Sequence, residues 1–200
     1  MGGLSIHSCS AEPALRRIRS NERRRGITNR RRGDPQLSSA VKCSEDMNSD
    51  LSLIPIDRDG IPRGYSGILP EVTAEVLRAT VRLYESVGFS EPWVGYLALA
   101  GSTPVGTCAF KSAPLDGRIE IAYHTFPGFE GRGLATAMAT ELVAITWRHE
   151  PSVIVAAQTL PQRNASHSVL EKLGFRHVAT IDHPEDGKVW EWQLVPKTGT

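Results

Sequence analysis

The sequence predicts an α/β (α+β) domain: a mixed, mostly antiparallel sheet of six or seven strands flanked by helices. Three observations predict it. From about residue 50 onward, periodic segments follow one another in the order β-α-β-β-β-α-β-α-β-β. Three strand-to-strand connections are turns too short for a crossover helix, which makes those pairs antiparallel. No internal repeat appears, and the order is not that of a doubly wound parallel sheet.

Leu51–Ile56 reads as a short first strand. Pro70–Val87 reads as a helix, with Val72, Val76, Leu77 and Val81 (joined by Leu83 and Tyr84) as its apolar stripe and Gly88 as its stop. Trp93–Ala100 and Val105–Lys111 are β-rich runs on either side of Gly101-Ser-Thr-Pro104, the spacing of a hairpin. Arg118–Phe126 is a further strand after the turn at Pro114-Leu-Asp-Gly117. Gly133–His149 is the clearest helix: Leu134, Met138, Leu142 and Ile145 line one face, and Pro151 lies just past its end. Val153–Leu160 reads as a buried strand, an apolar run rich in β-branched residues. Ser166–Leu173 is a short helix stopped by Gly174. Phe175–Ile181 and Lys188–Val195 form a closing hairpin across Pro184-Glu-Asp-Gly187.

The chain has 200 residues, 40% hydrophobic and 22% charged, which suits one domain with a real core. No apolar run approaches the roughly 20 residues of a membrane helix. Cys9, Cys43 and Cys108 are too few and too scattered for a disulfide framework or a four-ligand zinc site, so free thiols and a cytoplasmic location are expected, with no metal. The net charge of +1 hides an asymmetry. Residues 1–46 hold ten basic and five acidic residues, a balance of +5, leaving 13 basic and 17 acidic residues, a balance of −4, for residues 47–200.

Residues 1–46 form an arm with Arg16-Arg17, Arg23-Arg24-Arg25 and Arg30-Arg31-Arg32, no aromatic residue and no useful period. Such a segment buries too little surface to offset its ordering entropy and is expected to be disordered. It reads as a contact for nucleic acid or another acidic surface, as an Arg- and Ser-rich transit peptide, or as a stretch without function ahead of a start at Met47. It lacks the apolar core of a secretory signal, and Ile6 stands where a myristoylation motif needs Ser or Thr. Residues 47–200 are expected to be the folded domain.

Chemistry concentrates in the stretch from Ile119 to Ala135, where a strand enters a Pro/Gly turn and Gly131-Arg-Gly133 opens the long helix. Freed amides at a helix N-terminus, with glycines giving clearance and Arg132 adding charge, suit an anion. The spacing is neither a Walker loop nor a dinucleotide fingerprint. Glu120 is a carboxylate among the apolar residues Ile119, Ile121 and Ala122, and alternation places it on one face with Ala122 and His124. It reads as a general base or as a solvated strand carboxylate, with His124 as the rival base. Trp190 and Trp192 share a strand face as core or pocket wall, and Cys108 is a small core residue.

Glu130-Gly-Arg-Gly-Leu-Ala135 resembles the acetyl-CoA-binding signature of the GNAT acetyltransferases, Gln/Arg-x-x-Gly-x-Gly/Ala. Asn164-Ala-Ser-His-Ser-Val-Leu-Glu-Lys-Leu-Gly-Phe175 resembles the family's second signature, and the element order is also that of the family. The resemblance covers about residues 50–196 and is nearest to the ribosomal-protein alanine N-acetyltransferase branch. It implies a GNAT-like sheet with the fourth strand and the Val153–Leu160 strand splayed apart around acetyl-CoA. Backbone groups of Tyr123, Thr125 and Phe126 would meet the pantetheine arm, while Gly131, Arg132, Gly133, Leu134, Ala135 and Thr136 would hold the pyrophosphate. Asn164 or its neighbour Arg163 would also contact the cofactor. Glu120 would take the amine's proton, and Ser166 would protonate or orient the departing thiolate, unless it is a helix cap. Two positions depart from the family: Glu130 replaces Gln or Arg and is expected to turn outward, and Leu170 replaces a frequent catalytic Tyr.

The implied activity is transfer of acetyl from acetyl-CoA directly to a primary amine, of a small molecule or a protein N-terminus. Acceptor specificity would come from the Pro70–Gly88 helix, its flanking loops and the last hairpin, whose Glu71, Glu75, Glu85 and Glu91 suit a cationic acceptor. Neither membrane nor nucleic acid is an expected partner of the domain, and a homodimer is left open. The rival readings are an acyl-CoA-binding sensor without turnover, and nucleic-acid binding through the arm.

Overall fold

The computed structural model describes residues 50–184 and 186–196, so the Arg-rich arm, Cys9, Cys43 and the boundary at Met47 lie outside the described residues. The elements run in the predicted order: β1 (Leu51–Pro55), α1 (Glu71–Val87), β2 (Gly95–Ala100), β3 (Thr103–Phe110), β4 (Arg118–Thr125), α2 (Leu134–His149), β5 (Ile154–Thr159), α3 (Ala165–Leu173), β6 (Arg176–His183) and β7 (Gly187–Leu194). They build a seven-stranded sheet in the order β1-β2-β3-β4-β5-β7-β6. Every neighbouring pair is antiparallel except β4–β5, the one step made through the long crossover helix α2.

The turns follow their residues. Asp116 and Gly117 both take positive φ (51° and 73°) and reverse the chain before β4. Gly174, at φ 89°, ends α3 with its amide on the carbonyls of Glu171 and Leu170.

The main core lies between the sheet and α2 with α3. Ile119, Ile121 and Tyr123 of β4 point into it, against Leu134, Met138 and Leu142 of α2. Thr146, not the predicted Ile145, completes the fully buried face of α2, its hydroxyl donating to the Leu142 carbonyl at 2.9 Å. A smaller cluster on the opposite face joins Leu97, Leu99 and Phe126.

The stripe predicted for α1 is corrected. Val72, Val76, Leu77, Val81 and Leu83 are only half-buried, and the fully buried residues are Thr73, Ala79, Thr80 and Tyr84. The reason is close approach: a Cβ on Gly95 of β2 would lie 3.0 Å from Thr80 Cγ2 and 3.3 Å from the Tyr84 hydroxyl. At that crossing Thr80 and Tyr84 fit, and their hydroxyls are satisfied locally. Thr80 Oγ1 donates to the Val76 carbonyl at 2.9 Å, and the Tyr84 hydroxyl donates to the Ile56 carbonyl while accepting from the Gly95 amide.

Candidate active site

The sheet opens in its middle. β4 and β5 pair at only three positions, Arg118↔Ile154, Ile119↔Val155 and Glu120↔Ala156. Beyond Glu120, β4 continues to Thr125 along β3, and β5 continues to Thr159 along β7. Ile121–Thr125 and Ala157–Thr159 therefore face each other across a cleft. The β4–β3 bonds run through Glu120, whose carbonyl accepts from Lys111, and through Phe126, whose amide donates to Val105. By antiparallel alternation, the backbone groups of Tyr123 and Thr125 turn towards the cleft. The Phe126 backbone is already engaged, its amide donating to Val105 and its carbonyl accepting from Phe129, and its ring is buried.

Glu120, Ala122 and His124 share the face towards α1, as alternation predicts. Glu120 is half-buried at the last paired rung of the seam, and its Oε2 accepts from Gln158 Nε2 at 3.2 Å and Arg118 Nη2 at 3.4 Å. Farther along that face, Ala122 and His124 line a cavity of about 20 Å³ with Ile56, Val76, Thr80 and Thr107. That volume is about the space of one water. Burial pushes the His124 imidazole below the ordinary histidine range, with the Glu130 charge pulling the other way. His124 is therefore set to be neutral at pH 7 and retains its standing as rival base. Of the acids expected to face a cationic acceptor, Glu91 is committed to Arg63 at 2.5 Å, while Glu71, Glu75 and Glu85 are exposed on α1.

At the far end of β4 the turn enters α2 through Gly131 and Gly133, at φ 75° and 80°. A Cβ on either would meet nothing within 4 Å, so the helix start opens onto free space. No side chain caps it. These uncapped amides, the clearance beside them and the cleft that leads there fit a pyrophosphate with a long unbranched arm. Arg132 holds its guanidinium 5.4 Å from the Phe129 ring centroid. Glu130 is exposed, but its carboxylate does not simply point outward: it folds back to accept from the Gly128 amide at 2.6 Å.

The second signature closes the same end. Asn164 is the N-cap of α3, its side chain accepting from the amides of Ser166 at 3.0 Å and His167 at 3.4 Å. The cap role thus falls to Asn164, not Ser166, which is buried in the first turn. Arg163 is exposed beside Glu171. His167 accepts at Nδ1 from the Asn164 amide, so Nε2 carries the proton shared between Thr159 Oγ1 at 2.9 Å and the Leu160 carbonyl at 3.2 Å. Trp192 Nε1 donates to the same Thr159 hydroxyl, and both Trp190 and Trp192 pack on the His167 ring. Trp192 belongs to the core and Trp190 packs against it. Leu170 is fully buried, so the family's usual tyrosine has no counterpart at that place.

Residues 66–176, more than half of the chain, match the acetyltransferase (GNAT) domain family. The chain belongs to the GNAT acetyltransferases. The N-acetylaspartate synthetases of Rattus norvegicus and Homo sapiens are each 28% identical over 89 residues, which is 44% of this chain and 29% of theirs. The chain thus spans less than a third of those curated relatives. Among solved structures, the ribosomal L7/L12 α-N-protein acetyltransferase RimL in complex with coenzyme A superposes with a TM-score of 0.56 at 15% identity, over 74% of this acetyltransferase and 95% of that chain. The spermidine N-acetyltransferase of Vibrio cholerae gives 0.54 at 11% identity, over 74% and 94%. At those identities the likeness is one of fold. Among the described residues there is no group of acidic, His and Cys side chains placed to hold a metal ion, and no helix long and apolar enough to cross a membrane.

Two polar neighbours of the Glu120–Arg118 pair escaped the sequence reading: Gln158 and Glu191, which meet them from β5 and β7. Their signal was present, since each is a polar residue alternating with buried ones in its strand, the pattern that singled out Glu120.

Proposed function

We propose that this acetyltransferase moves acetyl from acetyl-CoA to a primary amine by direct attack, the amine being that of a small molecule or a protein N-terminus. One observation carries the reading: a half-buried carboxylate, Glu120, stands where β4 and β5 part, in line with an uncapped helix start at the end of the same strand. Acetyl-CoA supplies the activated acetyl thioester. The backbone of Tyr123 and Thr125 meets its arm, and the amides of Gly131, Gly133, Leu134, Ala135 and Thr136, with the Arg132 charge, take its phosphates. Asn164 offers its side-chain N–H₂, because its oxygen already caps α3.

An ammonium has no lone pair to attack with, so Glu120 takes the acceptor's proton, directly or through water. Ser166 orients or protonates the departing thiolate from the first turn of α3. The similar proteins are named for making N-acetylaspartate and for acetylating a ribosomal-protein α-amine and spermidine, and the acceptors these names imply share a primary amine. That shared chemistry supports the acceptor class.

Release of free CoA thiol from acetyl-CoA tests the reading against aspartate, spermidine, a Ser-initiated peptide and an aminoglycoside. Absence of amine-dependent release across pH 7 to 9.5 would refute it. Glu120→Gln should lower turnover by about 10²- to 10⁴-fold at nearly constant acetyl-CoA affinity. The deficit should shrink as pH rises and more amine is already neutral. Parallel pH profiles for mutant and wild type would retire Glu120 as the base, and a large loss in His124→Gln with Glu120→Gln silent would move the role to His124.

A further inference from the structure

Gln158 stands on β5 two residues beyond Ala156, where backbone pairing with β4 has already stopped. Its side chain reaches back over the parting to donate from Nε2 to Glu120 Oε2 at 3.2 Å. Arg118 Nη2 reaches that oxygen at 3.4 Å and also lies 3.2 Å from Glu191 Oε2. Glu191 is held from its other side, by Gln193 Nε2 donating to Oε1 at 2.8 Å. Side chains from β4, β5 and β7 thus form one half-buried polar row, with Glu120 at its cleft end. Both donors take the same oxygen of Glu120, so Oε1 stays outside these two bonds.

We infer that Gln158 is a positioning residue for Glu120: from across the cleft it fixes the carboxylate with Oε1 free to face the acceptor amine. The inference rests on the reading of Glu120 as the base. A glutamate has three rotatable side-chain bonds, so ordering it in one orientation opposes substantial rotamer entropy. A single long bond from Arg118, itself shared with Glu191, leaves the carboxylate plane free to turn. The second donor, arriving from the other strand, sets the plane. Being neutral, an amide does so without adding a charge beside the group that must accept a proton. Misplacement of a reacting group by about 1 Å can lower a rate by about 10²-fold, so the orientation is worth holding.

The test is a double-mutant cycle on the full chain, using Glu120→Gln, Gln158→Met and the pair. Methionine keeps the unbranched shape and removes the donor. Gln158→Met is expected to lower kcat about tenfold or more, with the KM for acetyl-CoA and the melting temperature near wild type. Added to Glu120→Gln, it should change kcat less than about twofold, because it acts through Glu120. If Gln158→Met does not fold, Gln158→Asn, one methylene too short to reach, replaces it with the same expectation. Wild-type kcat in the Gln158 variant, or a full additional loss in the double variant, overturns the inference alone. Wild-type turnover in Glu120→Gln overturns the base assignment and this inference together.

Discussion

Replacing Gly133 separates geometry from charge at the start of α2. Gly133 is the N-cap, left-handed at φ 80° and ψ −2°, and a Cβ there touches nothing. An L residue in that conformation is strained by about 1–2 kcal/mol, less for Asn and Asp, whose short polar side chains tolerate it. Asp also gains about 0.3–1 kcal/mol from the helix dipole, so Gly133→Asp should fold with a stability loss of about 1 kcal/mol or less. The cofactor would then meet the new charge. For unit charges about 6 Å apart, repulsion is about 0.7 kcal/mol in bulk water and about 3 kcal/mol at an effective dielectric of 20. The pyrophosphate carries two such charges, so affinity for acetyl-CoA should fall more than tenfold, or about 1.4 kcal/mol. Gly133→Asn adds nearly the same bulk without charge and should stay within about threefold of wild type. Isothermal titration of acetyl-CoA into the three proteins, with circular dichroism as the folding check, measures both. Wild-type affinity in a folded Gly133→Asp protein would place the phosphates elsewhere. An equal loss in Gly133→Asn would make the effect one of shape alone.

Asn164→Ala removes the acceptor from two α3 amides and should cost about 1–2 kcal/mol in urea unfolding, with Asn164→Ser recovering most of it; no change would show that α3 is held by His167 and packing alone. His124 titrates below its ordinary 6.5 in the folded protein, so the unfolded chain binds the extra proton first, and stability should fall as pH drops below 6.5 and be restored above it. His124→Gln should flatten part of that fall between pH 7 and 5 in thermal melts, and an unchanged slope would refute the assignment. Cys108 is buried and its thiol is pushed up by desolvation, so in a Cys9→Ser, Cys43→Ser background a disulfide dye should react only on unfolding; fast native labelling would contradict its burial.

The order of elements was legible because each segment carries its own period and its own stop, such as Gly88, Pro151 and Gly174. The face of β4 was legible too, since alternation alone separates Glu120 from Ile119 and Ile121. What failed on α1 was the assumption that buried means apolar. Thr80 faces inward because the helix crosses β2 at Gly95, and that crossing belongs to tertiary structure. The Glu120 row was hidden for a different reason. Gln158 lies 38 residues from Glu120, and Glu191 comes from a strand that enters the sheet out of sequence order. Polar residues in strands can be flagged from sequence, but their partners depend on which strands become neighbours.

Parting a sheet in its middle also creates two raw strand borders, the kind of backbone that templates aggregation. The outer borders are blunted in familiar ways: β1 is five residues long and ends in Pro55, and β6 carries an irregularity at Val178. The inner stretch Ile121–Thr125 has no proline and no bulge to discourage a visiting strand. Its defence is concealment, because α2 packs over β4 and the N-terminal turn of α3 is pinned to the end of β5 through His167. Loosening of either helix bares sticky backbone from the centre of the molecule. On the proposed function, acetyl-CoA in the cleft would pair with this border, and self-association should fall when it is bound.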